Sequence, residues 1–294
     1  MGEHVKTSDC SSCQDTSCSA KTKKNDENSE EFINRQAIKQ NLCKIKNKII
    51  VMSGKGGVGK SSVAVNLATA LSLEGKSVGL LDIDIHGPSI PTMMNLKNSP
   101  IISNGEKMMP IIFGSMKVMS VGFFLQDNDD ALIWRGPMKH GVVEQFIRDV
   151  EWGNLDYLII DSPPGTGDEH LSLIQTIDDM SGAILVTTPQ EVAAADVRKS
   201  VSFCEKTNLK IIGIIENMSG FVCPHCGEIT NIFNSGAGQK IADKYGFELL
   251  GKIPIDPSVG ESGDAGTPFV YSKQNTKAAE VLSSIAAKVI DKTK

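Results

Sequence analysis

The sequence lacks the excess of positive charge that a general nucleic-acid binder carries. Its 294 residues include 30 lysines and arginines against 35 aspartates and glutamates, and the formal net charge is −5. Proteins that hold the phosphate backbone of DNA or RNA need a basic face, and usually a basic overall balance. We therefore expect no nucleic acid among the partners of this chain.

The sequence also lacks a long hydrophobic run. Its first 30 residues are polar, so no apolar centre of a secretory signal is visible. The most apolar stretch, residues 108–125, is interrupted by a proline, two glycines and a lysine, whereas a membrane-spanning helix needs about 20 mostly apolar residues. We expect core strands in this stretch, a cytoplasmic protein and no membrane partner.

A disulfide framework is a third missing feature. Secreted disulfide scaffolds are short chains with regularly spaced cysteines, whereas this chain is long and has seven cysteines, an odd number. They are Cys10, Cys13, Cys18, Cys43, Cys204, Cys223 and Cys226. In a reducing compartment, closely spaced cysteines more often bind metal or carry redox chemistry. The isolated Cys204 is expected to be a buried structural residue of a helix.

Continuous apolar runs alternate with helical patterns along most of the chain. The runs predict buried strands at residues 48–54, 77–84, 155–165, 182–189 and 209–218. Helical patterns cover residues 60–76, 138–150, 190–206 and 276–292. This alternation predicts an α/β fold in which helices cover both faces of a mostly parallel sheet.

The N-terminal segment has a different character. Residues 1–44 are predicted to form a flexible, cysteine-containing tail, and residues 45–294 a single domain. Within the tail, Phe32, Ile38 and Leu42 recur at helical spacing, which predicts a short amphipathic piece.

A glycine-rich phosphate loop follows the first predicted strand and opens the first predicted helix. It reads "SGKGGVGKSS" at residues 53–62. Glycines let backbone N–H groups point at phosphate oxygens, and the helix N-terminus adds its positive end. In this motif Lys60 reaches the β- and γ-phosphates, and the Ser61 hydroxyl binds Mg²⁺. The predicted nucleotide-binding residues of the loop are Gly54, Lys55, Gly56, Gly57, Val58, Gly59, Lys60, Ser61 and Ser62.

Acidic residues end two of the predicted strands. Asp82 and Asp84 close the strand at 77–84, and Asp161 follows the apolar run of the strand at 155–165. Ligands of open α/β sheets gather at the carboxyl ends of the strands. We therefore expect these carboxylates beside the phosphate loop, where such residues hold Mg²⁺.

The histidines suggest no hydrolytic triad. His86, His140 and His170 are scattered, and no Ser-His-Asp or Cys-His pairing can be recognised. We expect each of the three at the surface or behind the site.

Cys223 and Cys226 stand two apart in "VCPHCGE". A soft metal bound by protein alone usually takes four ligands, and the predicted domain offers one such pair. A thioredoxin-like redox pair is one alternative, but the "EITNIF" that follows predicts a turn and a strand rather than a helix. Zinc held by two copies of the pair is another, and ligand chemistry leaves it open.

Taken together, the motifs resemble those of a known family. "SGKGGVGKSSVAVNLA", "DIDIHGPSIP", "WRGPMKHGVVEQF", "WGNLDYLIIDSPPGTGDEHLS" and "NMSGFVCPHCGE" are similar to the Mrp-type (ApbC) iron–sulfur cluster carriers. These are P-loop ATPases of the nucleotide-binding-protein group, within the deviant P-loop class of MinD, ParA and the nitrogenase iron protein. The resemblance covers roughly residues 45–290. It implies a homodimer that binds ATP and Mg²⁺, hydrolyses ATP slowly and transfers a [4Fe–4S] cluster to apo-proteins.

The resemblance also implies roles for single residues. Lys55 matches the signature lysine that touches the nucleotide of the second subunit, although a solvated loop lysine is the alternative. Asp84 matches the residue that positions the attacking water, with Asp82 and Asp161 near Mg²⁺. Asn217 matches the residue that reads adenine. The family's C-P-x-C pair matches Cys223 and Cys226, so that two copies would present four thiolates to one bridging cluster.

Two features of the sequence are compatible with more than one interpretation. One branch of the family has an N-terminal four-cysteine cluster, but here the tail offers Cys10, Cys13 and Cys18, with Cys43 the nearest fourth candidate. A second metal site and a plain flexible tail are both compatible with that pattern. A positioning ATPase of the MinD/ParA type, or a zinc-bridged ATPase for metal insertion, are the competing functions.

Overall fold

The computed structural model describes residues 22–23, 27–85, 87–105, 107–124, 136–223, 225–233 and 236–294. The three tail cysteines at positions 10, 13 and 18, and His86, lie outside these residues. His140 belongs to a helix, but its side chain is likewise outside the description. Among the residues described, no helix is both long enough and apolar enough to cross a membrane.

The strands account for the predicted apolar runs. They are β1 (Ile45–Ser53), β2 (Val78–Asp82), β3 (Ile102–Ser103), β4 (Met108–Met109), β5 (Ile111–Phe113), β6 (Met116–Ser120), β7 (Leu155–Asp161), β8 (Gly182–Thr187), β9 (Ile211–Glu216), β10 (Phe221–Val222), β11 (Ile229–Thr230) and β12 (Leu249–Lys252). The stretch 108–125 therefore contains three short strands, and a 3₁₀ turn over Val121–Phe124 follows them.

The helices precede, connect and follow these strands. They are α1 (Ser29–Leu42), α2 (Lys60–Leu73), α3 (Ile90–Met93), α4 (Gly136–Asp149), α5 (Asp168–Thr176), α6 (Glu191–Lys206), α7 (Ala237–Tyr245), α8 (Pro257–Asp264), α9 (Phe269–Ser272) and α10 (Lys277–Lys292). The predicted helices at 60–76, 138–150, 190–206 and 276–292 correspond to α2, α4, α6 and α10.

One eight-stranded sheet organises the domain, in the order β12-β9-β8-β1-β7-β2-β6-β5. Every neighbouring pair is parallel except β5 and β6, which are antiparallel. The antiparallel strand lies at the edge, where a short β-hairpin needs no crossover helix. The prediction of a mostly parallel α/β sheet is confirmed.

Two hydrophobic layers cover the sheet, one on each face. Successive residues of β1 alternate between them, because side chains of a strand point to opposite faces. Ile49 packs with Leu67 of α2 and Leu282 of α10, whereas Ile50 packs in the layer that contains Phe146 of α4. Both layers are continuous, so the strands are buried on both sides, as expected for parallel sheets. Cys204 is buried in the second layer, as predicted.

The chain is already packed before residue 45. Helix α1 starts with a capping box between Asn28 and Glu31, and Ile38 and Leu42 are buried. Asn41 Nδ2 donates to the carbonyls of Ile147 and Val150 at 2.7 and 2.6 Å. The predicted amphipathic piece is thus a helix fixed to the end of α4. The boundary predicted between residues 44 and 45 therefore leaves this packed helix on the side of the tail.

Asn41 makes the contribution of α1 measurable. We expect Asn41→Ala to lower the free energy of unfolding by about 2 kcal/mol, because two buried carbonyls each lose a hydrogen bond. Urea unfolding followed by circular dichroism measures the change. Asn34→Ala is the matched control, since Asn34 lies in the same helix and only accepts from Arg148 at the partly exposed side. An equal loss in both variants would contradict a special role of the buried amide.

Candidate functional site

The phosphate loop occupies the turn between β1 and α2. Gly59 is the N-cap of α2, and its φ of 80° lies in the left-handed region that favours glycine. A Cβ at this position would also collide with Asn217 Nδ2. Gly59 therefore allows both the tight turn into the helix and the close approach of the end of β9.

Helix α6 closes the other side of the loop. A Cβ on Gly54 would collide with the backbone of Asp196 in α6. Lys55 is half-buried in the loop, and its carbonyl accepts from Ser53 Oγ at 2.9 Å. The predicted phosphate-binding residues 54–62 thus occupy this turn and the first turn of α2.

The register of the sheet brings the predicted carboxylates together. Asp82 of β2 is paired with Asp161 of β7, and Asp161 is paired with Val51 of β1, three residues before the loop. Both aspartates are fully buried. Because the carboxyl ends of parallel strands meet at one edge, the two acids lie directly beside the phosphate loop.

Lys60 lies between the loop and these acids. Its Nζ is 2.5 Å from Asp161 Oδ1 and 3.3 Å from Ser61 Oγ, and the side chain is buried. Burial raises the pKa of Asp161, while the Lys60 charge acts in the opposite direction. A buried carboxylate is tolerated only with such a partner. The position of Lys60 suits contact with phosphate oxygens on one side and with the carboxyl edge on the other.

Asp82 is held from two directions. Its Oδ2 accepts from Ser120 Oγ at 2.9 Å, and its Oδ1 accepts from the backbone N of Asp84 at 3.0 Å. Burial, and then the nearby Asp161 carboxylate, raises the pKa of Asp82 to about 8. Two carboxylates this close in a buried site favour a cation between them. Asp84 is also buried, so all three predicted acids belong to this site.

The donor set fits Mg²⁺. Asp161 Oδ2 is buried and has no hydrogen-bond partner among the described residues. Within the same residues, no three His, Cys, Asp or Glu side chains come together to hold a metal by themselves. Mg²⁺ rarely needs such a cage, because it binds through one or two carboxylates together with water and substrate phosphates. The side chains of Ser61, Asp82 and Asp161 carry oxygen atoms of the kind that such a site uses.

A mostly apolar cavity of about 570 Å³ opens beside Gly59. Its walls include Ser62 of α2, Asn217 and Met218 after β9, and the loop that follows β12 at Ile253–Asp256. A cavity of this size accommodates a drug-sized ligand such as a nucleoside. Asn217 Nδ2 donates to the carbonyl of Val58 at 2.9 Å, so this residue connects the cavity wall with the phosphate loop.

His170 and Ser162 form a buried pair behind the site, and the sequence did not predict their contact. His170 Nε2 is 3.0 Å from Ser162 Oγ, which donates to the carbonyl of Val51 at 2.8 Å. His170 is fully buried, so of the two expected positions it takes the one behind the site. Burial lowers its pKa to about 4. Ser162 follows Asp161 directly, and this pair therefore holds the end of β7 against β1.

Cys223 and Cys226 lie on a separate small hairpin. Strands β10 and β11 pair antiparallel, and the turn is closed by Cys223 N donating to Glu228 O and Gly227 N donating to Cys223 O. Cys223 is half-buried, Cys226 is exposed and neither forms a disulfide. Hydrogen bonds from the backbone of Cys226, and next of His225, hold the pKa of the Cys223 thiol below its ordinary value. Such a thiol favours the thiolate form that binds metal.

The hairpin decides against the thioredoxin alternative. In that class the first cysteine opens a helix, whereas here the pair occupies a turn between two strands. Ile229 and Ile232, which follow the pair in the chain, are 58% and 54% exposed.

The fold and the phosphate site define a P-loop NTPase with a central parallel sheet. A family model described as the NUBPL iron-transfer P-loop NTPase, of the ParA group, matches residues 44–290. The chain therefore belongs to the NUBPL-type family of iron-transfer P-loop NTPases, as the motif resemblance predicted.

Named relatives agree with this assignment. The chain is 50% identical over 256 residues to an iron-sulfur cluster carrier protein of Methanocaldococcus jannaschii, covering 87% of this chain and 88% of the relative. It is 46% identical over 255 residues to the cytosolic Fe-S cluster assembly factor NUBP2 of Rattus norvegicus, covering 85% and 94% of the two chains.

Solved structures extend the comparison. A nucleotide-binding protein of Archaeoglobus fulgidus, solved in complex with ADP and with cobalt found in it, is 41% identical with a TM-score of 0.72. The match covers 81% of this chain and 93% of that one. The cell division protein MinD of Aquifex aeolicus is 22% identical with a TM-score of 0.61, over 83% and 97% of the two chains. The likeness to MinD shows the fold alone.

His170 makes stability depend on pH. Its pKa in the folded protein is about 4, against an ordinary value of 6.5, so between these values the unfolded state binds more protons. Stability is complete above pH 6.5 and is lost as the pH falls through this window. Between pH 7.5 and pH 5 we expect His170 to lower the free energy of unfolding by about 2 kcal/mol.

Urea unfolding of the wild type and of His170→Gln at both pH values isolates this effect, because the other titrating groups are common to both proteins. The wild type should lose about 2 kcal/mol more than the variant on acidification. The same pH dependence in both proteins would mean that His170 is not held neutral by burial.

Proposed function

We propose that this chain is an ATP-dependent carrier of [4Fe–4S] clusters, which hydrolyses ATP slowly and transfers clusters to apo-proteins of the cytoplasm. The observation that carries the proposal is the combination, in one domain, of a phosphate loop beside buried acids with a cysteine pair in which Cys226 is exposed and Cys223 is half-buried with a lowered pKa. The relatives' names, an iron-sulfur cluster carrier protein and a cytosolic Fe-S cluster assembly factor, support the same function.

The nucleotide is proposed to lie along the carboxyl edge of the sheet. The N–H groups of residues 54–62 and the Lys60 ammonium would bind the phosphates, and the cavity beside Asn217 would take the adenine. Asp84 is the proposed residue for orienting the attacking water, since it lies next to the buried acids. Lys55 would contact the nucleotide of a second subunit from the rim of the loop.

Ser61, Asp82 and Asp161 are the proposed Mg²⁺ ligands. When bound, Mg²⁺ neutralises negative charge on the β- and γ-phosphates. Ser120 holds Asp82 in place, and Lys60 holds Asp161. The ligand oxygens are thereby oriented before substrate binds, which is the contribution that catalysis of phosphoryl transfer requires of a protein.

Each chain supplies half of the proposed cluster site. Cysteine-ligated [4Fe–4S] clusters take four thiolates, and Cys223 and Cys226 contribute two. A homodimer with a two-fold axis near the hairpin would bring together the remaining two. Exposed Ile229 and Ile232 lie beside the pair and offer apolar surface for such a contact.

The cysteine pair can be tested directly. Anaerobic reconstitution of the full chain with iron and sulfide should give a brown protein, and Cys223→Ser or Cys226→Ser should remove most of its iron and sulfide. Thr230→Ala is the matched control, because it changes an exposed residue of the same hairpin and leaves both thiols in place. Unchanged iron content in both pair variants would refute the site.

Lys60 tests the nucleotide half of the proposal. Lys60→Ala should weaken ATP binding by about 100-fold or more, because the phosphate charge loses its buried partner. Lys206→Ala, at an exposed position near the end of α6, should bind as the wild type does. Isothermal titration calorimetry measures both affinities. Cluster transfer to an apo-protein should also slow in Lys60→Ala, and transfer at the wild-type rate would contradict the dependence on ATP.

Zinc bridged by the same thiolates is the second candidate, since a tetrahedral thiolate set also suits Zn²⁺. A colourless protein with stoichiometric zinc after anaerobic purification would favour it. ATP-stimulated pelleting with liposomes or DNA would instead favour a positioning ATPase of the MinD type.

A further inference from the structure

A single buried carboxylate ties both ends of the cysteine excursion to the sheet. The excursion is the segment between β9 and α7. It leaves the sheet after Glu216, carries the two cysteines and ends where α7 begins. Glu216 is the last residue of β9 and is fully buried. Its Oε1 accepts from Ser219 Oγ at 2.6 Å, and its Oε2 accepts from the backbone N of Gly238 at 2.7 Å. Ser219 precedes the hairpin, and Gly238 follows it.

The contact with Gly238 is unusually close. Gly238 lies in the first turn of α7, and a Cβ there would be 3.0 Å from Glu216 Oε2 and 3.1 Å from its Cβ. The first turn of a helix favours a negative charge, because its N–H groups are unpaired. Glu216 therefore anchors the returning helix as well as the outgoing strand.

The same short segment reaches the phosphate loop. Asn217 follows Glu216, and its Nδ2 donates to the carbonyl of Val58 at 2.9 Å. The backbone N of Ser219 donates to Ile253 O at 2.8 Å, and Ile253 N donates to Glu216 O at 2.9 Å. Ile253 also lines the cavity beside the loop. Residues 216–219 thus touch the phosphate loop, the cavity wall and both ends of the excursion.

We propose that Glu216 is a positioning residue that transmits the occupancy of the phosphate loop to Cys223 and Cys226. A ligand that moves Val58 or Asn217 moves the end of β9. The carboxylate then carries Ser219 and Gly238 with it, because both are bonded to its two oxygens. The inference rests on the proposed function, for which it supplies the route between nucleotide and cluster site. A ligand shifts an equilibrium only by its differential affinity for two arrangements, and these bonds give the two sites a shared element to bias.

The variants separate positioning from simple support of the fold. Glu216→Ala removes both ties, and Ser219→Ala removes only the tie to the hairpin. Glu216→Gln preserves both, because its carbonyl can accept from Gly238 N and its amide can donate to Ser219 Oγ. Thr230→Ala is the control, since it removes a hydroxyl from the exposed strand β11 of the same hairpin.

The measurement is the rate at which iodoacetamide alkylates Cys223 and Cys226 in the full-length apo-protein. Mass spectrometry of the peptides gives this rate without nucleotide, with ADP and with a non-hydrolysable ATP analogue. In the wild type, nucleotide should change the rate by about fivefold or more, the lower end of usual couplings between sites. Glu216→Gln and Thr230→Ala should keep this response, while Ser219→Ala and Glu216→Ala should lose most of it. ADP affinity of Ser219→Ala should stay close to that of the wild type.

Two outcomes would overturn the inference. One is an alkylation rate of the wild type that nucleotide does not change. The other is a full change of this rate by nucleotide in Ser219→Ala. If Glu216→Ala does not fold, Ser219→Ala still tests the inference, because Ser219 is only half-buried. Iron content of the reconstituted wild type separates this inference from the proposed function. A wild type that takes up no iron refutes the function, whereas a wild type that loads iron while Ser219→Ala keeps the full response refutes only the role of Glu216.

Discussion

Burial of a parallel sheet on both faces determines where the chemistry of this protein lies. The strands β1, β7 and β8 are covered by helices on each side, so a buried polar side chain needs bonded partners, and several such side chains lie at the carboxyl ends of the strands. The register then places Asp82 opposite Asp161, next to the turn that follows Val51. The phosphate loop is the first part of that edge, and the end of β9 is another.

Charge at this edge is buried and is stabilised by contacts between protein groups. Lys60 reaches Asp161, Ser120 and the backbone of Asp84 support Asp82, and Glu216 takes two donors of its own. Removing one partner of such a set costs more than the bond itself, because the other group stays buried and unpaired. These contacts hold the edge together beside the phosphate loop, and the cysteine hairpin is attached to the edge at residues 216–219.

Local motifs were predictable because their geometry depends on neighbours in sequence. The phosphate loop needs only a strand, a glycine-rich turn and a helix, and Lys60 and Ser61 follow from that spacing. Asp82 and Asp161 were predictable as acids that end apolar runs. Glu216 has the same pattern, since it ends the run "IIGII", yet it was not among the predicted site residues. Its role depends on Ser219 and on Gly238, which lies 22 positions away.

Other features had no signal that could be read from the sequence. The burial of His170 against Ser162 depends on how α5 packs behind β7. The attachment of α1 depends on Asn41 meeting the end of α4, more than 100 positions later in the chain. The pattern predicted the helix but not its docking, because amphipathic spacing says nothing about the partner surface.

The central claim is that one protomer carries half of a cluster site. Native mass spectrometry of the anaerobically reconstituted protein tests it most directly, because it reads subunit number and bound cluster in the same ion. The account predicts that the cluster is found on dimers, with one cluster for two chains, and that monomers are free of iron. Monomers that carry a complete cluster would contradict it.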